Sequence, residues 1–246
     1  MRIAGRITAE TLDVVKAAVR PGITTKELDF LAREYILSCG AKPSFKGYFG
    51  YPASICTSVN DQVVHGIPSG RVLKEGDIIS VDVGAFIGGF HGDAARTFGV
   101  GEISPEHQRL IDVTEKSFFC GIKFAKDGNY LRDISAAIQD CAEGAGYGVV
   151  RDYVGHGIGR SMHEEPPIPN YRTNKRGVKL RAGMTLAVEP MVNTGTHKVK
   201  SLGDGWTVVT RDGGFSAHYE NTVLITPDKG EPEILTLIQA DTIDKN

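Results

Sequence analysis

Two aspartates, Asp82 and Asp93, stand in short β-like runs on either side of the glycine pair Gly88-Gly89. Two glycines between such runs are typical of a tight β-hairpin turn, which would place both aspartates on paired strands. Aspartate is depleted in strands, and a buried carboxylate needs a partner for its charge. Two carboxylates on one hairpin also repel each other unless a cation lies between them. The pattern leaves two interpretations open: a divalent-metal site, or a salt-bridged pair with Arg96 as one candidate partner.

Three further side chains of metal-ligating type lie in the second half of the sequence. Glu189 lies in an apolar run over 186–191, and Glu220 lies in a strand-like segment over 217–225. His156 stands between two glycines, which give close access to the backbone. Together with the two aspartates, this set suits two divalent cations held by bridging carboxylates. Oxygen-rich ligation with one imidazole favours Mn, Fe(II) or Co, with Zn also suitable. Two such ions can share a hydroxide that is nucleophilic at neutral pH.

An internal repeat indicates how these side chains could be brought together. Residues 73–82 and 180–189 both read Leu–basic–x–Gly, followed by an apolar strand that ends in Val and an acid. Earlier glycines match in the same order at almost the same spacing, Gly22 with Gly128 and Gly40 with Gly146. The repeat predicts two helix-then-hairpin halves that pack about a pseudo-twofold axis. Asp82 and Glu189, at the same strand position of each half, would then converge at the centre of the molecule.

The spacing of apolar residues, together with capping and turn residues, predicts the helices and strands that carry these side chains. The first two predicted helices cover 8–20 and the segment from a Thr24–Glu27 capping box to Gly40. The other two run from Ser104 to about Lys126, and from Leu131 to the region of Gly144–Gly146. The predicted strands cover 54–60, the central hairpin, 184–192, 206–210, 215–226 and 234–237. Because no linker or low-complexity segment divides the sequence, we expect one domain over 1–246.

Composition excludes several classes of protein. A net charge of −2 and a pI near 6.4 give no electrostatic argument for binding nucleic acid or a membrane surface. The N-terminus lacks the apolar core of a signal peptide, and no apolar run reaches the ~18 residues of a membrane helix. The four cysteines are scattered without a CxxC pair, which is typical of a reducing compartment. We therefore expect a cytoplasmic protein.

Five short motifs make the sequence recognisable. They are HGIP at 65–68, VDVG…HGDAARTF at 81–98, GHGIGRSMHEEP at 155–166, EPM at 189–191 and SAHYENT at 216–222. In this order they closely resemble the type I methionine aminopeptidases, whose pita-bread fold is shared with aminopeptidase P, prolidase and creatinase. The resemblance implies an α+β fold with two pseudo-symmetric helix/β-hairpin halves. These halves would surround a central, curved antiparallel sheet with helices on its outer face.

The resemblance also implies roles for the residues of the site. The metal ligands would be Asp82, Asp93, His156, Glu189 and Glu220. Asp93 and Glu220 would bridge the metals, Asp82 would bind one of them, and His156 with Glu189 would bind the other. Glu189 would in addition move a proton for the attacking water. His163 would hydrogen-bond the scissile carbonyl or the oxyanion, and His65 would contact the substrate near the next peptide bond.

A methionine pocket would be lined by Tyr48, Tyr51, Cys56 and Trp206, with Phe45 and Met162 at positions whose residue type varies in the family. Met162 stands where relatives can carry Phe, which changes the pocket rim. The remaining histidines, His91, His107, His197 and His218, are most simply surface or hydrogen-bonding residues, with His218 the least secure because it lies near Glu220 in sequence.

The implied activity is removal of the initiator methionine from nascent proteins, with a small second residue preferred. The partners would be nascent N-termini and, as a further hypothesis, the ribosome surface; we expect a monomer. Two alternatives remain: an X-Pro-specific peptidase of the same fold, and a non-catalytic peptide-binding protein. The first is disfavoured because we expect no aminopeptidase P-like domain before the first helix. The second is disfavoured because all five ligand positions are filled.

Overall fold

The computed structural model describes residues 1–237, so the predicted domain over 1–246 extends beyond the described part. Four α-helices cover one side of the sheets. They are α1 (Arg2–Ala18), α2 (Thr25–Ser38), α3 (Pro105–Ile122) and α4 (Leu131–Gly144). The strands in chain order are β1 (Lys42–Pro43), β2 (Ile55–Val59), β3 (Gln62–Val64), β4 (Ile78–Ile87), β5 (Phe90–Gly99), β6 (Gly148–Val149), β7 (Gly155–Gly157), β8 (Glu164–Ile168), β9 (Thr185–Val188), β10 (Met191–Asn193), β11 (Val199–Ser201), β12 (Val208–Thr210), β13 (Ser216–His218), β14 (Asn221–Leu224) and β15 (Glu233–Ile234).

The helix starts follow the capping signals. The Thr24 hydroxyl accepts a hydrogen bond from the Glu27 amide at 3.2 Å, and the Glu27 carboxylate accepts one from the Thr24 amide at 2.8 Å, which confirms the capping box. Ser104 caps α3, as predicted. The predicted end near Lys126 is wrong, because α3 ends at Ile122 and the amides of Phe124 and Ala125 bond to carbonyls three residues back, outside the α-helical pattern. Helix α1 starts at Arg2 rather than near residue 8, since its first turns also bury apolar side chains.

The central hairpin is present as predicted. Strands β4 and β5 pair over ten residues each, and Gly88 and Gly89 both have positive φ, at 61° and 82°. Positive φ at both positions is the requirement of the two-residue turn that matches strand twist. In this register Asp93 on β5 lies opposite Gly84 on β4, and Asp82 lies on β4 two residues before Gly84. The two aspartates therefore occupy neighbouring positions on one face of the hairpin.

The internal repeat is confirmed by matching backbone contacts in the two halves. The Gly22 amide donates to the Leu73 carbonyl at 2.8 Å, and the Gly128 amide donates to the Leu180 carbonyl at 3.0 Å. Isolated β-bridges also correspond, Thr24–Val72 in the first half and Tyr130–Lys179 in the second. Each half thus ties the start of its second helix to the segment that leads into its central strand.

The two halves meet where β5 runs beside the chain that leads into β14. Ala95 and Glu220 exchange backbone hydrogen bonds at 2.9 and 3.3 Å, and the Thr222 hydroxyl contacts both the amide and the carbonyl of Asp93 at 3.0 Å. These contacts join the β4–β5 sheet to the sheet with the order β15-β14-β9-β7-β8. Helices α1 and α2 pack on the first sheet, and α3 and α4 pack on the second, with a buried apolar cluster under each pair.

Two predicted strands are broken where the site lies. The segment 184–192 forms β9 and β10, and 215–226 forms β13 and β14. β9 pairs with β14, whereas β10 pairs with β13 in another sheet. Both segments therefore pass from one sheet to the other at corresponding positions. Pro190 has no amide to continue the ladder, and the Glu220 backbone pairs with β5 instead. Glu189 and Glu220 both lie at this double bend.

The shorter strand predictions differ in their limits. The segments 54–60, 206–210 and 234–237 contain β2, β12 and β15, each shorter than predicted. The sequence did not predict β7 or β8, which lie in a glycine-rich and a proline-rich stretch. None of the helices in the described residues has the length and apolarity needed to cross a membrane.

Candidate metal centre and substrate pocket

A cavity of about 130 Å³ opens at the junction of the two halves. We call it the site cavity. Its lining contains every side chain that the sequence selected for the site: Phe45, Tyr48, Tyr51, Cys56, His65, Asp82, Asp93, His156, Met162, His163, Glu189, Trp206 and Glu220. The carboxylates and the apolar pocket are therefore parts of one space, although the contributing segments are far apart in sequence.

Neighbouring strands each present one potential metal ligand to the cavity. Asp82 lies on β4 and Asp93 on β5, whereas His156 lies on β7. Glu189 directly follows β9 and Glu220 directly precedes β14. Because β5, β14, β9 and β7 are successive neighbours across the joined sheets, the five side chains converge without any long loop.

The distances between these groups are those of a ligand cluster. His156 Nε2 lies 3.8 Å from Asp93 Oδ2 and 3.7 Å from Glu189 Oε1. One ligand atom each from Asp93, His156 and Glu220 lies within 4.8 Å of the other two. Asp82 Oδ1, Asp93 Oδ1 and Glu220 Oε1 are buried without a hydrogen-bond partner among the described residues. Partnerless buried oxygens that face one another are the atoms that a divalent cation would satisfy.

The salt-bridge interpretation is not supported at this site. Arg96 donates instead to the backbone carbonyl of Glu220 and to Asn221 Oδ1, and its guanidinium stacks on the Tyr219 ring at 4.1 Å. None of the residues that line the site cavity is a lysine or an arginine. The carboxylates consequently face one another with no lysine or arginine among the lining residues.

The protonation behaviour of the cluster follows from burial and crowding. Burial raises the pKa of Asp82 to about 7. Burial, followed by repulsion from the other carboxylates, holds the pKa values of Asp93, Glu189 and Glu220 well above their usual range. Burial also lowers the pKa of His156 to about 4, which keeps its imidazole neutral and able to bind a metal. Oxygen donors with a neutral imidazole fit divalent ions of the Mn, Fe, Co and Zn group.

The apolar end of the cavity is built from aromatic side chains. Tyr51 is buried, and its hydroxyl donates towards the carbonyls of Ile55 and Gly66 at 3.1 and 3.0 Å. Its ring meets Trp206 edge to face at 5.0 Å. Cys56 pairs with Asp82 across β2 and β4, which sets the pocket directly beside the carboxylates. Phe45, Cys56 and Met162 are all buried in this cluster.

The two predicted non-ligand histidines lie at the cavity with defined partners. His163 Nδ1 lies 2.7 Å from the Tyr48 hydroxyl, and its ring centroid lies 4.1 Å from that of His156. Partial burial lowers the pKa of His163. His65 has a left-handed φ of 59°, which the surrounding structure must maintain. Burial lowers the pKa of His65 to about 4, so this ring is neutral as well.

One residue of the site was not selected from the sequence. His218 is 2% exposed, and its Nε2 lies 3.7 Å from Glu189 Oε2 and 3.7 Å from Glu220 Oε2. The sequence analysis assigned His218 a surface or hydrogen-bonding role. The signal that could have identified it is its spacing, because residues two apart on a strand lie on the same face, and Glu220 is two residues away.

Comparison with known proteins gives the relatives of this chain. The model of metallopeptidase family M24 matches residues 1–227. A methionine aminopeptidase from Clostridium perfringens is 60% identical over 239 residues, which cover 97% of this chain and 95% of that protein. The structure of a methionine aminopeptidase from Thermotoga maritima is 48% identical, with a TM-score of 0.94 over 97% of this chain and 95% of that one.

A more distant structure shares the fold alone. Prolidase from Pyrococcus furiosus is 21% identical, with a TM-score of 0.77 over 97% of this chain and 63% of its own length. The expected pita-bread fold and the resemblance to methionine aminopeptidases are both confirmed. The chain belongs to metallopeptidase family M24.

Proposed function

We propose that this protein is a methionine aminopeptidase that removes the N-terminal methionine from nascent polypeptides and prefers a small second residue. The observation that carries the proposal is the site cavity, in which a carboxylate cluster and an aromatic pocket share one lining. Methionine is flexible and polarizable, and its sulfur packs well against aromatic edges such as those of Tyr51 and Trp206. A methionine side chain in this pocket would hold its peptide bond beside the carboxylates.

The residues that would hold two divalent ions are Asp82, Asp93, His156, Glu189 and Glu220. We assign the bridging positions to Asp93 and Glu220, as the resemblance implies. Divalent ions in such a site supply a water that loses its proton near neutral pH. The oxygen-rich set suits Mn, Fe(II), Co or Zn.

Glu189 is the residue suited to move a proton during hydrolysis. Its pKa is held well above the usual range by burial and by the neighbouring Asp82 and Asp93. A carboxylate with a raised pKa accepts a proton from water more readily at neutral pH than an exposed one. We propose that it takes the proton from the attacking water and delivers it to the leaving amine.

His163 is suited to donate a hydrogen bond from Nε2. The hydroxyl of Tyr48 lies 2.7 Å from His163 Nδ1, and burial raises the pKa of this tyrosine, so it stays protonated. When that hydroxyl donates to Nδ1, a neutral imidazole carries its own proton on Nε2. We propose that this proton binds the scissile carbonyl oxygen as it gains negative charge, and that His65 contacts the next peptide bond.

The proposed substrates and the expected cysteine chemistry support a proposal about where the protein acts. We propose that the protein works in the cytoplasm as a monomer, on chains that emerge from the ribosome. The four cysteines are free thiols, as a reducing compartment would keep them.

Hydrolysis of Met-Ala-Ser, compared with Ala-Pro-Ala, tests the function in the presence of Mn(II) or Co(II). We expect cleavage of the first peptide only, loss of activity with a chelator, and slower cleavage of Met-Trp-Ser. Cleavage of Ala-Pro-Ala alone would support the X-Pro peptidase alternative. Cleavage of neither peptide, with metal bound, would support a peptide-binding protein.

A further inference from the structure

His218 is a buried histidine whose ring nitrogen Nε2 has no hydrogen-bond partner among the described residues. Its backbone is fixed by Thr97, whose hydroxyl accepts from the His218 amide and donates to the His218 carbonyl, both at 2.9 Å. Its Nε2 is buried and unpartnered, although it points at two carboxylates. A buried polar atom of this kind lacks the compensation that folded proteins normally provide.

The surroundings of His218 repeat those of His156. His156 Nε2 lies 3.7 Å from Glu189 Oε1, and His218 Nε2 lies 3.7 Å from Glu189 Oε2, the other oxygen of the same carboxylate. Each imidazole also belongs to a compact set of possible ligands that includes Glu220, with Asp93 in one set and Asp82 in the other. Each imidazole therefore lies beside the carboxylate cluster with its own set of possible partner ligands.

These separations suit coordination better than hydrogen bonding. A distance of 3.7 Å between Nε2 and each carboxylate oxygen is too long for a direct hydrogen bond. Two ligand atoms that are each about 2.1 Å from one ion stand roughly 3–4 Å apart.

We propose that His218 is a further metal ligand, which together with Asp82 and Glu220 gives the second metal position an imidazole of its own. The inference rests on the metal centre of the proposed function and changes its composition. Without His218, the Asp82 position has only carboxylate and water oxygens, which suit Mn(II) and Mg(II). With a nitrogen donor, the same position favours Co(II) or Zn(II) over Mg(II).

X-ray absorption spectroscopy of the full chain loaded with two equivalents of Co(II) tests this directly. We expect two imidazoles for every two ions in the unaltered protein and one in His218→Gln. His197→Gln is the matched control, because His197 belongs to neither compact set of possible ligands and its loss should leave the count unchanged. Titration calorimetry should show that His218→Gln weakens one Co(II) equivalent at least about tenfold and weakens Mn(II) less.

The count in the unaltered protein decides the matter even if the variant folds poorly. One imidazole for two ions would overturn the proposal and leave His218 as a neighbour that binds no metal. An unchanged count in a folded His218→Gln variant would overturn it too. The Met-Ala-Ser assay separates this from the function: a protein with two imidazoles that fails to cleave the peptide refutes the activity but not the ligand.

Discussion

At the scale of single residues, Glu220 is the carboxylate that belongs to both sets of possible metal ligands, whereas Asp82 belongs to one. A carboxylate that serves two cations offsets the charge of both. We therefore expect Glu220→Gln to weaken both equivalents of Co(II), by about 100-fold or more, because even changes outside the first ligands cost 10–100-fold. Asp82→Asn should weaken mainly one equivalent. Calorimetry on both variants checks this ranking, and equal losses would contradict the bridging assignment.

His163 separates substrate chemistry from metal binding. If its Nε2 donates to the oxyanion, His163→Ala should lower kcat by roughly 10²–10³. KM should change little, because the interaction forms mainly in the transition state. Metal content and melting temperature should stay as in the unaltered protein, since the imidazole is near the cavity mouth. Kinetics with Met-Ala-Ser, metal analysis and melting on one preparation test the role, and full activity or lost metal would refute it.

Tyr48→Phe is the companion test for the orientation of His163. The change removes the hydroxyl 2.7 Å from Nδ1 but keeps the aromatic ring in the pocket. We expect a smaller loss of kcat than in His163→Ala, with KM for the methionine peptide preserved. A raised KM with unchanged kcat would contradict this role and would mean that the Tyr48 hydroxyl contributes to substrate binding rather than to the orientation of His163.

Among the elements, the start of α2 shows a stabilising contact that the sequence alone predicts. Thr24→Ala removes the hydroxyl that accepts from the Glu27 amide. Loss of such a cap typically costs about 1 kcal/mol of the free energy of unfolding, or roughly 2–4 °C of melting temperature in a chain of this size. Lys26→Ala, at an exposed position in the same turn, is the control and should change stability little. Equal melting temperatures for Thr24→Ala and the control would contradict the cap.

The predictions from sequence succeeded where the signal is local. The hairpin turn and the two helix N-caps depend on residues near one another in sequence, and the repeat is found by matching two short segments of the sequence. The breaks in 184–192 and 215–226 depend on which strand each backbone meets, and the partner of Glu220 is Ala95, far away in the chain. Likewise, β7 becomes a strand because β9 lies beside it, not because of its glycine-rich sequence.

The same division applies to the site. Asp82, Asp93 and Glu189 could be selected as candidates because a carboxylate in an apolar run is unusual. The complete set of cavity side chains came from motif resemblance, and all of them line one cavity. The two-residue spacing of His218 from Glu220 was not used as a signal, and the position of its ring beside Glu189 depends on long-range packing that no local pattern encodes.

For the whole molecule, the crowded carboxylates predict a dependence of stability on pH and metal. Their pKa values in the folded, metal-free protein are raised, that of Asp82 to about 7. The folded state therefore holds more protons than the unfolded state above pH ~4, and its stability falls as the pH rises through the folded pKa values. The buried neutral histidines act in the opposite direction, but only below about pH 6.5.

We accordingly expect the melting temperature of chelator-treated protein to fall between pH 6.5 and 8.5. Saturating Mn(II) should raise it and remove most of this slope, because bound cations replace the protons and bind only the folded state. Calorimetric scans at three pH values, with and without metal, test the expectation. A metal-free protein whose melting temperature rises or stays constant over this range would contradict it.

The matching contacts of the two halves also bear on how the site treats a peptide. Two identical halves related by an exact twofold axis would offer the same surroundings on both sides of that axis. A peptide has a direction, and a symmetric site cannot tell its amino end from the rest of the chain. Here the first half supplies both aspartates and most of the aromatic side chains, while the second supplies both glutamates and two of the three lining histidines. Divergence of the halves thus created the polarity by which one end of a polypeptide can be recognised and the other left outside.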